Sequence, residues 1–148
     1  MRSLSFILPF ATESLNKRDR KHWAVKRSDK TRLANEVRVG IGGPRYFPHP
    51  PFARARIVVE RCSAGQLDPD NLAASCKGLL DVLCLPSRTH PTGLGIIVDD
   101  SPAHIELVLR QSPAPRGSAS TIVTVEELPG VVMPKPKPRT RSALASGT

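Results

Sequence analysis

Four carboxylates and a lysine carry the chemistry this sequence offers. Asp68 and Asp70 flank Pro69 in the run QLDPDNLAASCKGLLD, residues 66–81, and Asp99 and Asp100 stand together after the apolar residues 94–98. Acids gathered in one site raise one another's pKa values unless a cation sits among them. Magnesium suits such a set, because it prefers carboxylate and water oxygens, takes few protein ligands and keeps waters for chemistry. An ion held this way binds a phosphate, activates water and offsets charge on a leaving oxygen, while a neighbouring lysine, here Lys77, stabilises developing negative charge. Plainer readings stand beside this one. Asp68-Pro69 is ordinary helix-start chemistry, Lys77 and Asp81 form a common i,i+4 pair, and D-D-S-P is a good β-turn.

The elements that must position these groups can be read from periodicity. Leu72, Cys76, Leu79, Leu80 and Leu83 recur at helical spacing, so residues 70–84 read as one amphipathic helix presenting Asp70, Ala74, Lys77 and Asp81 on its polar face. Residues 53–61 alternate, with Ala55, Ile57 and Val59 opposite Arg54, Arg56 and Glu60, which predicts a half-buried strand running toward Asp68. Further strands are expected over residues 3–10, 103–111 and 121–127, and a short helix over residues 31–39. Residues 40–51 and 86–95, rich in glycine and proline, read as loops.

With 148 residues the chain makes one domain, taken as residues 1–128, followed by a basic, proline-rich tail, residues 129–148, of disordered composition. The net charge of +9 calls for a polyanionic partner, and nucleic acid fits best. No apolar run approaches the roughly 20 residues of a spanning helix, so no membrane is expected. The N-terminus lacks a signal-peptide pattern. Cys62, Cys76 and Cys84 are odd in number with no C-x-x-C pair, which predicts buried thiols of a reduced, cytoplasmic protein and argues against zinc. His22, His49, His90 and His104 show no ligand spacing and read as surface or loop residues. Residues 16–32 hold eight of the 22 basic residues and the only tryptophan. Residues 16–30, without a clean period, read as a basic loop. Asn16, Lys17, Arg18, Arg20, Lys21, His22, Trp23, Lys26 and Arg27 are the DNA-binding candidates there, by phosphate neutralisation and base stacking.

The order of these features resembles the RusA family of phage and prophage Holliday junction resolvases. A basic segment with N-K-R and H-W comes first. Asp68, Asp70, Asn71 and Leu72 then match D-x-D-N-L, Lys77, Asp81 and Leu83 match K-x-x-x-D-x-L, and Asp99-Asp100 matches D-D. The likeness runs over about residues 3–127, with specific motifs only between Asp68 and Asp100. It implies a small α+β domain, a mixed sheet of about four strands with two helices, acting as a homodimer on four-way or branched DNA in recombination and repair. It further implies magnesium held by Asp68, Asp70 and Asp100, with Asp99 supporting and Lys77 catalytic through its charge. The family pattern has its lysine four residues after the second acid, where this chain has Ala74; Lys77 comes seven after. The stretch from Asp81 to Asp99 is also longer than the compact pattern. A flap or fork endonuclease and a non-catalytic junction-binding protein are the rival expectations.

Overall fold

The computed structural model describes residues 1–13 and 23–130. Its centre is strand β2, Ala55–Ser63, whose inward residues Ala55, Ile57 and Val59 are fully buried, as their alternation predicts. β2 pairs in parallel with β3, Ile105–Pro113, and antiparallel with β4, Ser120–Glu127. β4 in turn pairs antiparallel with β1, Ser3–Leu8, giving one mixed four-stranded sheet in the order β1-β4-β2-β3. A parallel pair cannot be closed by a hairpin, so the chain between β2 and β3 must cross over. That crossover carries every acid singled out above.

Helices cover one sheet face. Helix α1, Trp23–Ile41, packs on β1 and on the helical stretch of the crossover. Ala34 and Val37 enter a core shared with Phe6, Leu8, Phe52, Leu79, Val82, Leu83, Ile96, Ile97, Val123 and Val125. Each such aliphatic side chain stabilises by about 1.5–3 kcal/mol on full burial, enough for a core with few aromatics. Two glycines end α1. Gly42 and Gly43 take φ of 105° and 109°, and both N–H groups donate to the Arg38 carbonyl at 3.2 and 3.0 Å. Among the described residues no helix covers the opposite sheet face, which is mostly polar, with Arg56 set between Glu106 and Glu126 at 3.3 and 3.6 Å.

The mixed four-stranded sheet with helices agrees with the α+β expectation. Two local expectations are corrected. Residues 23–30 are helical, where the lack of a period predicts a basic loop, and the helix continues beyond the predicted residues 31–39. The inward position one turn before Leu33 and Ala34 is Lys30, and its ammonium meets a buried carboxylate, so no apolar residue marks the turn. Residues 14–22, holding Asn16, Lys17, Arg18, Arg20, Lys21 and His22, lie outside the described residues, as do residues 131–148 of the tail. The second correction concerns the predicted helix over residues 70–84, which is two helices, α2, Pro69–Ser75, and α3, Lys77–Leu83. At the break the Ser75 hydroxyl donates to the Leu72 carbonyl at 2.7 Å and meets the Thr12 hydroxyl at 2.8 Å. Back-bonding of this kind bends helices. Among the described residues no helix is long and apolar enough to cross a membrane.

Candidate functional site

Asp68 is the N-cap of α2. Its Oδ1 accepts the Asn71 backbone N–H at 2.8 Å, and its Oδ2 accepts the Asn71 side-chain amide at 2.9 Å. The loop before it is clamped by Gln111 of β3, whose amide accepts from Leu67 N–H at 2.8 Å and donates to the Leu67 carbonyl at 2.7 Å. Buried Arg61 holds the same loop further back, donating to the carbonyls of Gly65 and Thr12 at 2.9 and 3.0 Å. Burial lowers the pKa of that guanidinium, which stays charged. Asp70 lies exposed in the first turn of α2.

Lys77 opens α3, and one turn on, Asp81 points inward. Its carboxylate is 9% exposed and lies between two lysines, with Lys30 Nζ 3.0 Å from Oδ2 and Lys77 Nζ 3.0 Å from Oδ1. Burial alone would raise the Asp81 pKa, but hydrogen bonds and charge from Lys30 and Lys77 outweigh it and hold the group below its ordinary value. The Lys77 pKa is correspondingly raised, first by the hydrogen bond to Asp81. Lys77 also reaches Asp100 Oδ2 at 3.4 Å, across 23 positions of sequence. The expected i,i+4 pair is therefore real, and the lysine serves a second acid as well.

Backbone hydrogen bonding brings Asp99 and Asp100 to this place. Leu94 N–H donates to Val82, Gly95 N–H to Cys84, and Ile96 N–H to Leu83, at 2.8, 3.0 and 2.9 Å, so the loop after α3 folds back along the helix end. Phe52 pairs with Ile97, holding the run that leads to Asp99 beside the start of β2. Gly93 must be glycine: a Cβ there would stand 2.4 Å from the Cys84 carbonyl oxygen.

Among the described residues, one group of three or more side chains offers metal-ligating atoms all within 4.8 Å of one another: Cys84, His90, Asp99 and Asp100. Asp99 and Asp100 of the predicted ligand set are in it; Asp68 and Asp70 are not. Sequence reasoning misses Cys84 and His90, since it places the thiol in the core and the imidazole on the surface. Only their spacing to the D-D pair across a loop could signal them, and that spacing matches no known ligand motif. Burial, and then Asp100, Asp99 and Asp81, push the Cys84 thiol up to about 12, and it donates to the Leu80 carbonyl at 3.3 Å.

Beside Lys77 and Asp81 opens a groove of about 790 Å³ between α1, α3 and residues 10–13. Lys26, Arg27, Lys30, Arg32 and Lys77 line it, together with Glu13, Asp29 and Asp81. Two of the predicted DNA contacts, Lys26 and Arg27, thus stand on a wall of this groove, and Trp23 begins the helix that forms it. No protein-family model matches the chain, and no curated protein matches it.

Proposed function

We propose that the chain is a magnesium-dependent, structure-selective DNA endonuclease of RusA type, nicking four-way junctions in pairs. The observation that carries this reading is the 3.4 Å approach of Lys77 to Asp100 beside a lysine- and arginine-lined groove. Two motif halves that the resemblance makes catalytic are adjacent in space, at the edge of a cleft whose lining includes five basic side chains beside three acids and several apolar residues.

The donor chemistry fits magnesium at Asp99 and Asp100, which supply hard carboxylate oxygens. Asp68 and Asp70, the other two acids the resemblance assigns to the metal, lie outside that group, and Asp68 is engaged by Asn71. When bound, the cation neutralises charge at the scissile phosphate and makes water a better nucleophile. Lys77 places an ammonium beside Asp100, where it stabilises charge developing on a phosphoryl oxygen. Asp81 keeps that ammonium protonated and aimed. Lys26, Arg27 and Arg32 neutralise flanking phosphates and fix the strand's direction without reading sequence. A homodimer supplies two sites related by a two-fold axis, matching paired incisions.

The second reading, a junction-binding protein without cleavage, is favoured by Asp68, both of whose oxygens accept hydrogen bonds from Asn71. Incubation with a synthetic four-way junction, linear duplex and a flap, with and without magnesium, separates the readings. Paired symmetric nicks on the junction only with magnesium support the proposal. Preference for the flap moves it to the flap and fork class. Tight junction binding with no cleavage under any divalent metal leaves the binding role.

A further inference from the structure

The acids next to Lys77 are not surrounded by oxygen alone. Cys84 Sγ and one ring nitrogen of His90 join the carboxylates of Asp99 and Asp100 in a single cluster. We propose that these four side chains form a site for zinc(II), which competes for Asp99 and Asp100 with the oxygen-ligated magnesium expected of the nuclease reading.

Donor type is the first argument. Thiolate and imidazole are ligands of zinc and of its neighbours among the transition metals, whereas magnesium has little use for either. One sulfur, one nitrogen and two carboxylates make a complete four-coordinate set.

The geometry agrees. Zinc bond lengths of about 2.0–2.3 Å place tetrahedral donors about 3.3–3.8 Å apart. The observed donors lie within 4.8 Å of one another, so closing the shell asks for movements of about 1 Å, within the reach of side-chain rotation. The backbone that presents them is already fixed. Cys84 caps α3 in the buried core, and the returning loop is tied to Val82, Leu83 and Cys84 by hydrogen bonds of 2.8–3.0 Å. Ligands mounted on such a frame lose little freedom when a metal binds.

A separate observation points to the same place. Among the described residues, the buried side-chain polar atoms without a hydrogen-bond partner are His90 Nδ1, Thr92 Oγ1 and Ser101 Oγ. His90 belongs to the cluster itself, and the other two lie in the same segment of sequence, residues 90–101. Unsatisfied buried polar atoms are rare in native proteins and call for a ligand, an ion or water nearby. For His90 a metal answers the need in either ring orientation. Nδ1 can ligate directly, or Nε2 can ligate while Nδ1–H turns to Asp81 Oδ1, now 3.6 Å away, as in carboxylate–histidine–zinc pairs.

Binding converts the Cys84 thiol to thiolate and releases its proton to solvent. The site then carries three negative ligands, and Lys77 at 3.4 Å from Asp100 offsets the excess charge. Since zinc and magnesium would share Asp99 and Asp100, each limits the occupancy of the other.

Cobalt(II) titration of the full chain, without DNA, tests this directly. The expected result is one equivalent bound, with intense tetrahedral d–d absorption and a thiolate-to-cobalt charge-transfer band, both removed by stoichiometric zinc. Cys84→Ser should lose the charge-transfer band, and His90→Gln, a change in a loop that leaves the core intact, should weaken binding at least tenfold. Cys62→Ser should retain the full spectrum. The proposal is overturned if the wild-type chain gives only weak octahedral absorption without a charge-transfer band. It is equally overturned if the band persists in Cys84→Ser, or if His90→Gln binds as tightly as wild type. Because the readout needs no substrate, a chain that shows the band and cuts nothing would retain this site and lose the nuclease reading. One that cuts junctions without the band would do the reverse.

Discussion

Removing Lys30 and Lys77 one at a time, and then together, should expose what Asp81 costs when left alone. Asp81 is a buried carboxylate with an ammonium on each oxygen, at 3.0 Å in both cases. Lys30→Met or Lys77→Met leaves one cation in place, and these lysines are 38% and 58% exposed, so water screens much of each pair. Each single change should cost about 1 kcal/mol. The double variant leaves a buried charge unpaired, a defect worth about 3–5 kcal/mol in well-buried cases, and partial exposure of the site argues for the lower end. The double change should thus exceed the two singles by about 1 kcal/mol, well outside the roughly 0.3–0.5 kcal/mol within which independent sites add. Equilibrium unfolding in urea near neutral pH measures this, and melting should fall by about 10 °C in the double variant.

The pH dependence should change sign as well. In the wild-type chain Asp81 is held below its ordinary pKa, so its contribution is fully present above about pH 4 and is lost as acid protonates it in the folded state. With the two lysines gone, burial raises the pKa. The variant should then be relatively more stable in acid and lose stability as pH rises above about 4. Asp81→Asn added to the double variant should recover much of the loss, since the uncharged amide needs no cation. Additive single effects, an unchanged slope with pH, or failure of that rescue would refute the account of Asp81 as a carboxylate sustained by two lysines.

Three further outcomes follow from the same geometry. Asp100→Asn should abolish magnesium-dependent junction cleavage while leaving junction affinity within about threefold, a gap of under 1 kcal/mol, read by gel shift beside a nicking assay. Gly93→Ala should destabilise the chain by about 2–3 kcal/mol in urea unfolding, because its Cβ would press on the Cys84 carbonyl at 2.4 Å and backbone cannot yield cheaply. Replacing Lys26 and Arg27 together by alanine should weaken duplex binding uniformly across sequences and flatten the dependence of log affinity on log salt by about 2, one unit for each phosphate no longer neutralised.

Strand β2 is legible in the sequence because Ala55, Ile57 and Val59 alternate with residues of the outer face, Val58 alone of these being apolar there. β3 is legible by the same pattern although it is an edge, where Leu107 on the covered face is still 37% exposed. The start of α1 is not legible. Its inward-facing turn is filled by Lys30, and a lysine on the core side reads as surface until its partner, 51 positions away, is known. The break at Cys76 is hidden for a similar reason. Ser75 looks like an ordinary helix residue, and only the meeting with Thr12 shows where its hydroxyl is engaged. The acids stand out by type and spacing, but their grouping depends on the loop that folds back over Leu83 and Cys84. That loop also brings Cys84 and His90 beside Asp99 and Asp100, a neighbourhood set by backbone hydrogen bonds and not by any motif.

Lys77 touches two acids, one structural and one in the proposed site, so loss of activity in a Lys77 variant has two possible origins. Lys30 separates them. It shares Asp81 with Lys77 at the same 3.0 Å, and Asp100's ion pair is with Lys77. If Lys77 acts only by steadying Asp81, Lys30→Met and Lys77→Met should lose cleavage in proportion to the stability they lose. Lys30 also lines the groove, so the comparison is made at saturating junction: if Lys77 also stabilises charge at the phosphate, Lys77→Met should fall well below that line there while Lys30→Met returns to it. The fold therefore contains its own control for the one cation that the sequence marks as catalytic.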